Sequence, residues 1–190
     1  MSKKKNKRPL LTDDLIKSFE DFVTEFKEES DRSAVVLITS RIDYLLYQLL
    51  TKYFLPNSTT KDELFDGDSP LSTLSSKINI SHRLGLIDSE FGRVLHLMRK
   101  IRNDFAHEVS SAKLDQAPHK DRIAALVSKI SSYNLFDQVK SSFFNDISNI
   151  KANYFTTAAI IIVRLDTLFL KVKTISQTKA YPIISQIKKG

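Results

Sequence analysis

The chain is 190 residues long, 42% hydrophobic and 27% charged, with four glycines and five prolines. That is enough to bury one sizeable core, and the composition is that of a globular, mostly helical domain. It has no cysteine, which excludes disulfides, thiolate nucleophiles and cysteine-ligated zinc or iron–sulfur sites, and fits a reducing compartment. The net charge of +7 is unevenly spread. Lys3, Lys4, Lys5, Lys7, Arg8, Lys179, Lys188 and Lys189 lie in the two tails, so the remaining 21 of the 29 basic residues face all 22 acidic ones between residues 9 and 178. The body is close to neutral. The tails can hold polyanions only weakly and without selectivity, through counterion release.

In chain order, LTDDLIKSFEDFVTEFKEE reads as a helix with Thr12 at its N-cap and Asp13 and Asp14 in the first turn. Leu15, Phe19, Phe22 and Phe26 form its apolar stripe. The next helix is capped by Ser30 or Asp31 and carries Val35, Ile38, Ile42, Leu45, Leu49 and Tyr53 on one face until Pro56 closes it. A loop with Gly67 and Pro70 as turn residues leads to a shorter helix from about Leu71 to Leu84, ended by Gly85. Asp88 then caps a long helix through His107. The polar linker EVSSAKLDQA follows, and Pro118 suits the first turn of a helix running to about Ser131.

The last third reads as an amphipathic helix or loop followed by a strongly apolar helix around AAIIIV. The β-branched residues Ile160 to Val163 also suit a strand, but Ala158, Ala159 and Leu165 to Leu170 make helix the better reading. The apolar run at 158 to 163 is too short to span a bilayer, and the basic N-terminus lacks the apolar core of a signal peptide. A cytoplasmic protein that stays off the membrane is expected.

The densest polar chemistry is RKIRNDFAH, residues 99 to 107. On a helical wheel Val94, Met98, Ile101 and Phe105 share the buried side, with Leu97 nearby. His96, Arg99, Lys100, Asn103 and His107 share the other side within roughly 100°. Arg102 and His107 differ in direction by about 140°, so they meet only if the long arginine reaches around or a second chain completes the site. A solvated face usually mixes acids and bases; this stripe is cationic and imidazole-rich, with Asp104 off its centre.

The stretches ESDRSAVVL (29 to 37), LFDGDSPLSTLSSKINISHRLGLID (64 to 88) and RKIRNDFAH resemble, in order and spacing, the mannitol-operon-repressor-like family of small bacterial proteins. The likeness covers about residues 11 to 170. It implies an all-helical fold and a role in regulating transcription. Glu29, Asp31 and Arg32, which open the second helix, resemble part of a family motif; on their own they also make a helix cap with an ion pair, from which Glu29 can face the Arg102 region.

Arg102-Asn103-Asp104-Phe105-Ala106-His107 is also similar to the Arg-x4-His motif of the HEPN superfamily, helical domains of toxins, antiviral nucleases and nucleotide-binding modules. In its active nucleases two chains join their Arg and His residues to cleave RNA. Carried over, Arg102 is the phosphate clamp, His107 the proton-transfer residue and Asn103 an orienting donor. An imidazole titrating near neutrality and a guanidinium facing developing phosphate charge suit that chemistry.

SKINISHRLGLIDSEFGRVLHL mimics a helix-turn-helix, yet its second helix would present Asp88 and Glu90 to phosphates. His82, His96, His107 and His119 lack the paired spacing of a zinc helix, and His82 and His119 read as surface residues. No P-loop, dinucleotide fingerprint or nucleophile elbow is present, and neither metal nor cofactor is expected.

The expected architecture is a single all-α bundle of six to seven helices, HEPN-like, over residues 10–176, with basic tails at 1–9 and 177–190. The leading expectation is a dimeric regulator acting through a protein partner, with Glu29, Asp31, Arg32, His96, Arg99 and Lys100 as candidate binding residues. Two alternatives stand beside it: a metal-independent ribonuclease built on Arg102, Asn103 and His107, and a non-catalytic oligomerisation or antitoxin-binding module.

Overall fold

The structure, a computed structural model, describes residues 13–108, 112–131 and 135–177. Thr12, the side chain of Leu15, the basic tail at 1–9 and residues 178–190 of the other tail lie outside the described residues. Within them the chain forms seven helices and no strand: α1 Asp13–Phe26, α2 Asp31–Tyr53, α3 Leu74–Arg83, α4 Ser89–His107, α5 His119–Ile130, α6 Phe136–Phe143 and α7 Asn149–Lys171.

The helix ends follow local chemistry. Ser30 caps α2 by accepting from the Ser33 amide at 3.1 Å, and Thr73 does the same for α3 from Ser76. Asp88 caps α4 by accepting from the Phe91 amide at 2.8 Å. Each such cap satisfies an orphan N–H, a contribution of about 1 kcal/mol. The short α3 begins at Leu74 rather than Leu71, because the cap that fixes it is Thr73. It stops before Gly85, whose φ of +72° reverses the chain into α4. Gly67 makes the other left-handed turn, in the loop before α3.

The core lies where α2 and α7 pack together, with α4 and α3 against α2, and α5, α6 and α1 against α7. Six consecutive residues of α7, Tyr154 to Ala159, are buried, so the helix is sheathed all round at that level. This is why Ile160 to Val163 are helical: their β-branched side chains fill a helix-lined interior. The phenylalanine stripe of α1 closes one end, with Phe22 edge-on to Phe144 and Phe155, and Phe19 stacked on Phe143. By length and composition α2 and α7 could cross a bilayer, although no single apolar run in the sequence could; half of each apolar window is buried inside the bundle.

One expected surface residue is internal. His119, at the start of α5, is 1% exposed, and its ring lies 4.3 Å from that of Phe105. The polar imidazole makes it read as surface, yet His119 stands in helical register with Ile123, Leu126 and Ile130, the apolar buried face of α5. His82 is exposed, as expected.

Candidate functional site

Helix α4 carries the RKIRNDFAH segment, and its apolar side is the expected one: Phe91, Val94, Leu95, Met98, Ile101 and Phe105 are buried against α2, α3 and α5. What the packing does with the polar residues divides them into two groups.

The first group is tied into the scaffold. Asp104 forms an ion pair with Arg122 of α5. The Glu108 carboxylate lies 3.4 Å from His119 Nε2. Asp31 accepts from the Leu114 amide at 2.9 Å, and Lys151 of α7 reaches within 3.8 Å of its other oxygen. Lys151 also donates to the backbone carbonyl of Glu29 at 2.9 Å. Arg32 donates to the Ala106 carbonyl at 3.4 Å, a long contact that sets the start of α2 beside the end of α4. Asp31 and Arg32 therefore join three chain segments that are far apart in sequence. The carboxylate of Glu29 makes no hydrogen bond or ion pair with another described residue, and it is Arg32 that approaches α4.

The second group is left open. Arg102 and Asn103 are half-buried, Lys100 and His107 are exposed, and none makes a side-chain hydrogen bond or ion pair with another described residue. Arg99 is half-buried with its Nε shielded from solvent and unpartnered among those residues. His96 is the exception: its Nε2 lies 3.0 Å from Asn79 Oδ1 of α3. Burial, and then the nearby Arg99 charge, holds the His96 imidazole below the ordinary histidine range. The stripe is thus short of protons to give at its half-buried end and rich in fixed positive charge.

Two clefts flank this surface. One of about 440 Å³ is lined by Ser30, Asp31, Arg32, Ala112 and Lys113. The other, about 260 Å³, lies between α3 and α4 and is lined by Asn79, His82, Gly92, Arg93 and His96 among others. Neither Arg102 nor His107 lines either cleft, and within one chain the two project in different directions. Among the described residues no cluster of His, Cys, Asp or Glu could hold a metal ion.

The helix-turn-helix mimicry resolves into a packed hairpin. Helix α4 runs for 19 residues, and Phe91, Gly92, Val94 and Leu95 of its first half are buried in the bundle. The acids at its start are occupied as well: Asp88 bonds Arg164 of α7, and Glu90 pairs with Arg93 and with Lys129 of α5. The Phe91 amide first, and the Arg164 guanidinium after it, hold the Asp88 carboxyl below its usual range against the opposing effect of burial. Sequence reasoning missed Asn79, Arg122, Lys129 and Lys151, each from another helix; no local pattern announces a partner on a different element.

No protein-family model matches the chain, and no curated protein matches its sequence with significance. Solved structures do share its fold. A chain of the MtlR–HPr complex from Escherichia coli superposes with a TM-score of 0.57 at 14% identity, over 78% of this chain and 98% of that one. A possible transcriptional regulator, YggD from Shigella flexneri 2a, gives 0.56 at 15% identity, over 87% of this chain and 99% of that one. The molecule is an all-helical domain with an MtlR-like fold. At such identities the likeness extends to the fold alone.

Proposed function

We propose that this protein is a transcription regulator of the mannitol-repressor kind that works by holding a partner protein rather than by reading a DNA groove. The observation that carries this reading is the open polar surface of α4, where Arg99, Lys100, Arg102, Asn103 and His107 have no side-chain partner among the described residues, while Asp88 and Glu90 at the helix start are both engaged. Cations at the surface or half-buried that pair with no acid of the scaffold suit recognition. The neutral body argues against duplex DNA as the main ligand. Two fold-sharing proteins lend support, one solved in complex with HPr and the other described as a possible regulator.

Calorimetric titration of the full chain with HPr from its own host, beside titration with duplex DNA from promoters that respond to deletion of the gene, tests the reading. Saturable protein binding, with DNA binding that is weak, unselective and abolished by salt, is the expected result. Selective, tight duplex binding would overturn the mechanism.

A second reading, a dimeric ribonuclease, has one observation in its favour: Arg102, Asn103 and His107 are the residues of their motif without a side-chain partner among the described residues, whereas Asp104 and Phe105 are committed to the scaffold. It requires a second chain to bring Arg102 of one copy to His107 of the other. Metal-free incubation with cellular RNA decides it, since cleavage must be lost in both Arg102→Ala and His107→Ala while the fold survives.

A further inference from the structure

Helix α2 buries one side in the core and still carries large apolar residues on the other. Val36, Leu37 and Tyr44 are 37%, 44% and 49% exposed, and Ser40 and Arg41 beside them are exposed too. These five residues share one side of the helix, within roughly 140°. Large apolar side chains left exposed together on one helix side mark an interaction site. Tyr44 is held in place: its ring stacks on Tyr47 at 6.4 Å, and Gln48 donates to its hydroxyl at 3.2 Å.

The rim of this patch is cationic. The Arg32 contact to Ala106 fixes the lateral register of α2 and α4. One turn further along each, in opposite directions, lie Val36 and Arg102, and after them Ser40 and Arg99. Helix α3 bridges the two helices beyond that point, where Lys77 pairs with Asp43 at 2.8 Å and Asn79 meets His96. The segment from Arg32 to Ser40 and from Arg99 to Ala106 is left uncovered by α3. On the far side of the patch Arg41 stands near Asp166 of α7, a half-buried carboxyl raised from its usual range by burial, with Arg41 opposing the shift. Arg32, Arg41, Arg99 and Arg102 thus border an aliphatic centre, with Asp166 as the acid facing them and Asp43 engaged by Lys77.

We infer that this α2–α4 face is the docking surface for a different protein that presents an apolar stripe bordered by carboxylates. The inference rests on the partner-holding function proposed above and gives it a place and a chemistry. A second copy of this chain is the wrong occupant, because a two-fold contact here would set one arginine-bordered rim, Arg32, Arg41, Arg99 and Arg102, against another. RNA is the wrong occupant as well, since the centre that a sugar–phosphate backbone would cross is Val36 and Leu37.

The test places a photo-crosslinking benzophenone side chain at position 37, 44 or, as a control on exposed α5 surface, 120 of the full chain expressed in its host. The expected result is an adduct from 37 and 44, absent from 120, with one other protein whose cross-linked peptide is rich in Asp and Glu. Combined Arg99→Glu and Arg102→Glu reversal lowers its yield roughly tenfold, with melting temperature unchanged. An adduct with a second copy or with RNA overturns the inference, as does an adduct indifferent to the charge reversal. An adduct from 120 alone leaves the partner reading standing and removes this surface. Absence of any adduct from all three positions removes the partner reading itself.

Discussion

The end of α4 has two sides made from the same nine-residue stretch, and they behave in opposite ways. Toward α5, Asp104 and Phe105 are locked to Arg122 and His119, and behind them Asp31 anchors the Leu114 amide. Away from α5, Arg99 and Arg102 toward α2 and Asn103 and His107 toward the outside make no side-chain hydrogen bond or ion pair with another described residue. Polar residues that bind each other across elements position the scaffold. Those that a well-packed helix leaves idle are free to act on something else, and a substitution should cost stability on the first side and function on the second.

The sharpest way to break this contrast is at Phe105, which is fully buried and in contact with the His119 ring. Phe105→Ala is expected to lower stability by about 3–5 kcal/mol, through lost transfer energy and the cavity left behind. Thermal unfolding followed by circular dichroism measures it; a loss under about 1 kcal/mol would mean that the α4–α5 contact is not part of the core.

Asp31 comes next. Asp31→Ala removes an acceptor from the Leu114 amide and separates Lys151 from its carboxylate, with an expected cost of about 1–3 kcal/mol in urea unfolding. Protease cleavage within residues 112–118 should rise in parallel, because that segment loses the bond that pins it to α2. Stability that falls without added cleavage would assign Asp31 to the α2–α7 contact instead.

The sequence showed the helices far better than it showed these attachments. The stripes of α1, α2 and α4 repeat every three or four residues, and the caps Ser30, Asp88 and Gly85 are local signals, so the order of elements could be read directly and their number to within one, with α6 left between helix and loop. His119 reads as a surface residue because its imidazole is polar, although it shares a helical face with Ile123, Leu126 and Ile130; what accepts that polar ring inside is Phe105 and Glu108 from another helix end, which no local pattern announces. The candidate site divides the same way. Arg99, Lys100, Asn103 and His107 were legible as an outward stripe, whereas the α2 patch beside them was concealed, because Val36, Leu37 and Tyr44 look like ordinary core residues until α7 and α4 have taken the other sides of that helix.

A smaller effect lies at the opposite end of α4. The folded state holds the Asp88 carboxyl below its unfolded value, so Asp88 adds stability above the ordinary carboxylate range and loses it as pH falls through the lowered value. Asp88→Asn keeps a good cap but gives up the charge paired with Arg164. Its melting temperature should lie slightly below that of the parent at pH 7 and converge with it as the pH is lowered toward 3. Half-buried His96 works in the same direction: its lowered value means that the unfolded chain takes up the proton first, so stability declines as pH falls through the ordinary histidine range.

The smallest expected change is the most informative about the outer side. Arg102→Ala and His107→Ala remove side chains that have no partner among the described residues, so each should alter stability by no more than about 0.5 kcal/mol. If Arg102→Ala is strongly destabilising, its half-buried stem packs against α2 as scaffold, and the contrast between the two sides loses its clearest member. If both variants fold as well as the parent but regulation in the host fails only with Arg102→Ala, function follows the α2–α4 face. Failure with both, together with lost RNA cleavage, would shift the weight to the paired Arg and His of a dimer.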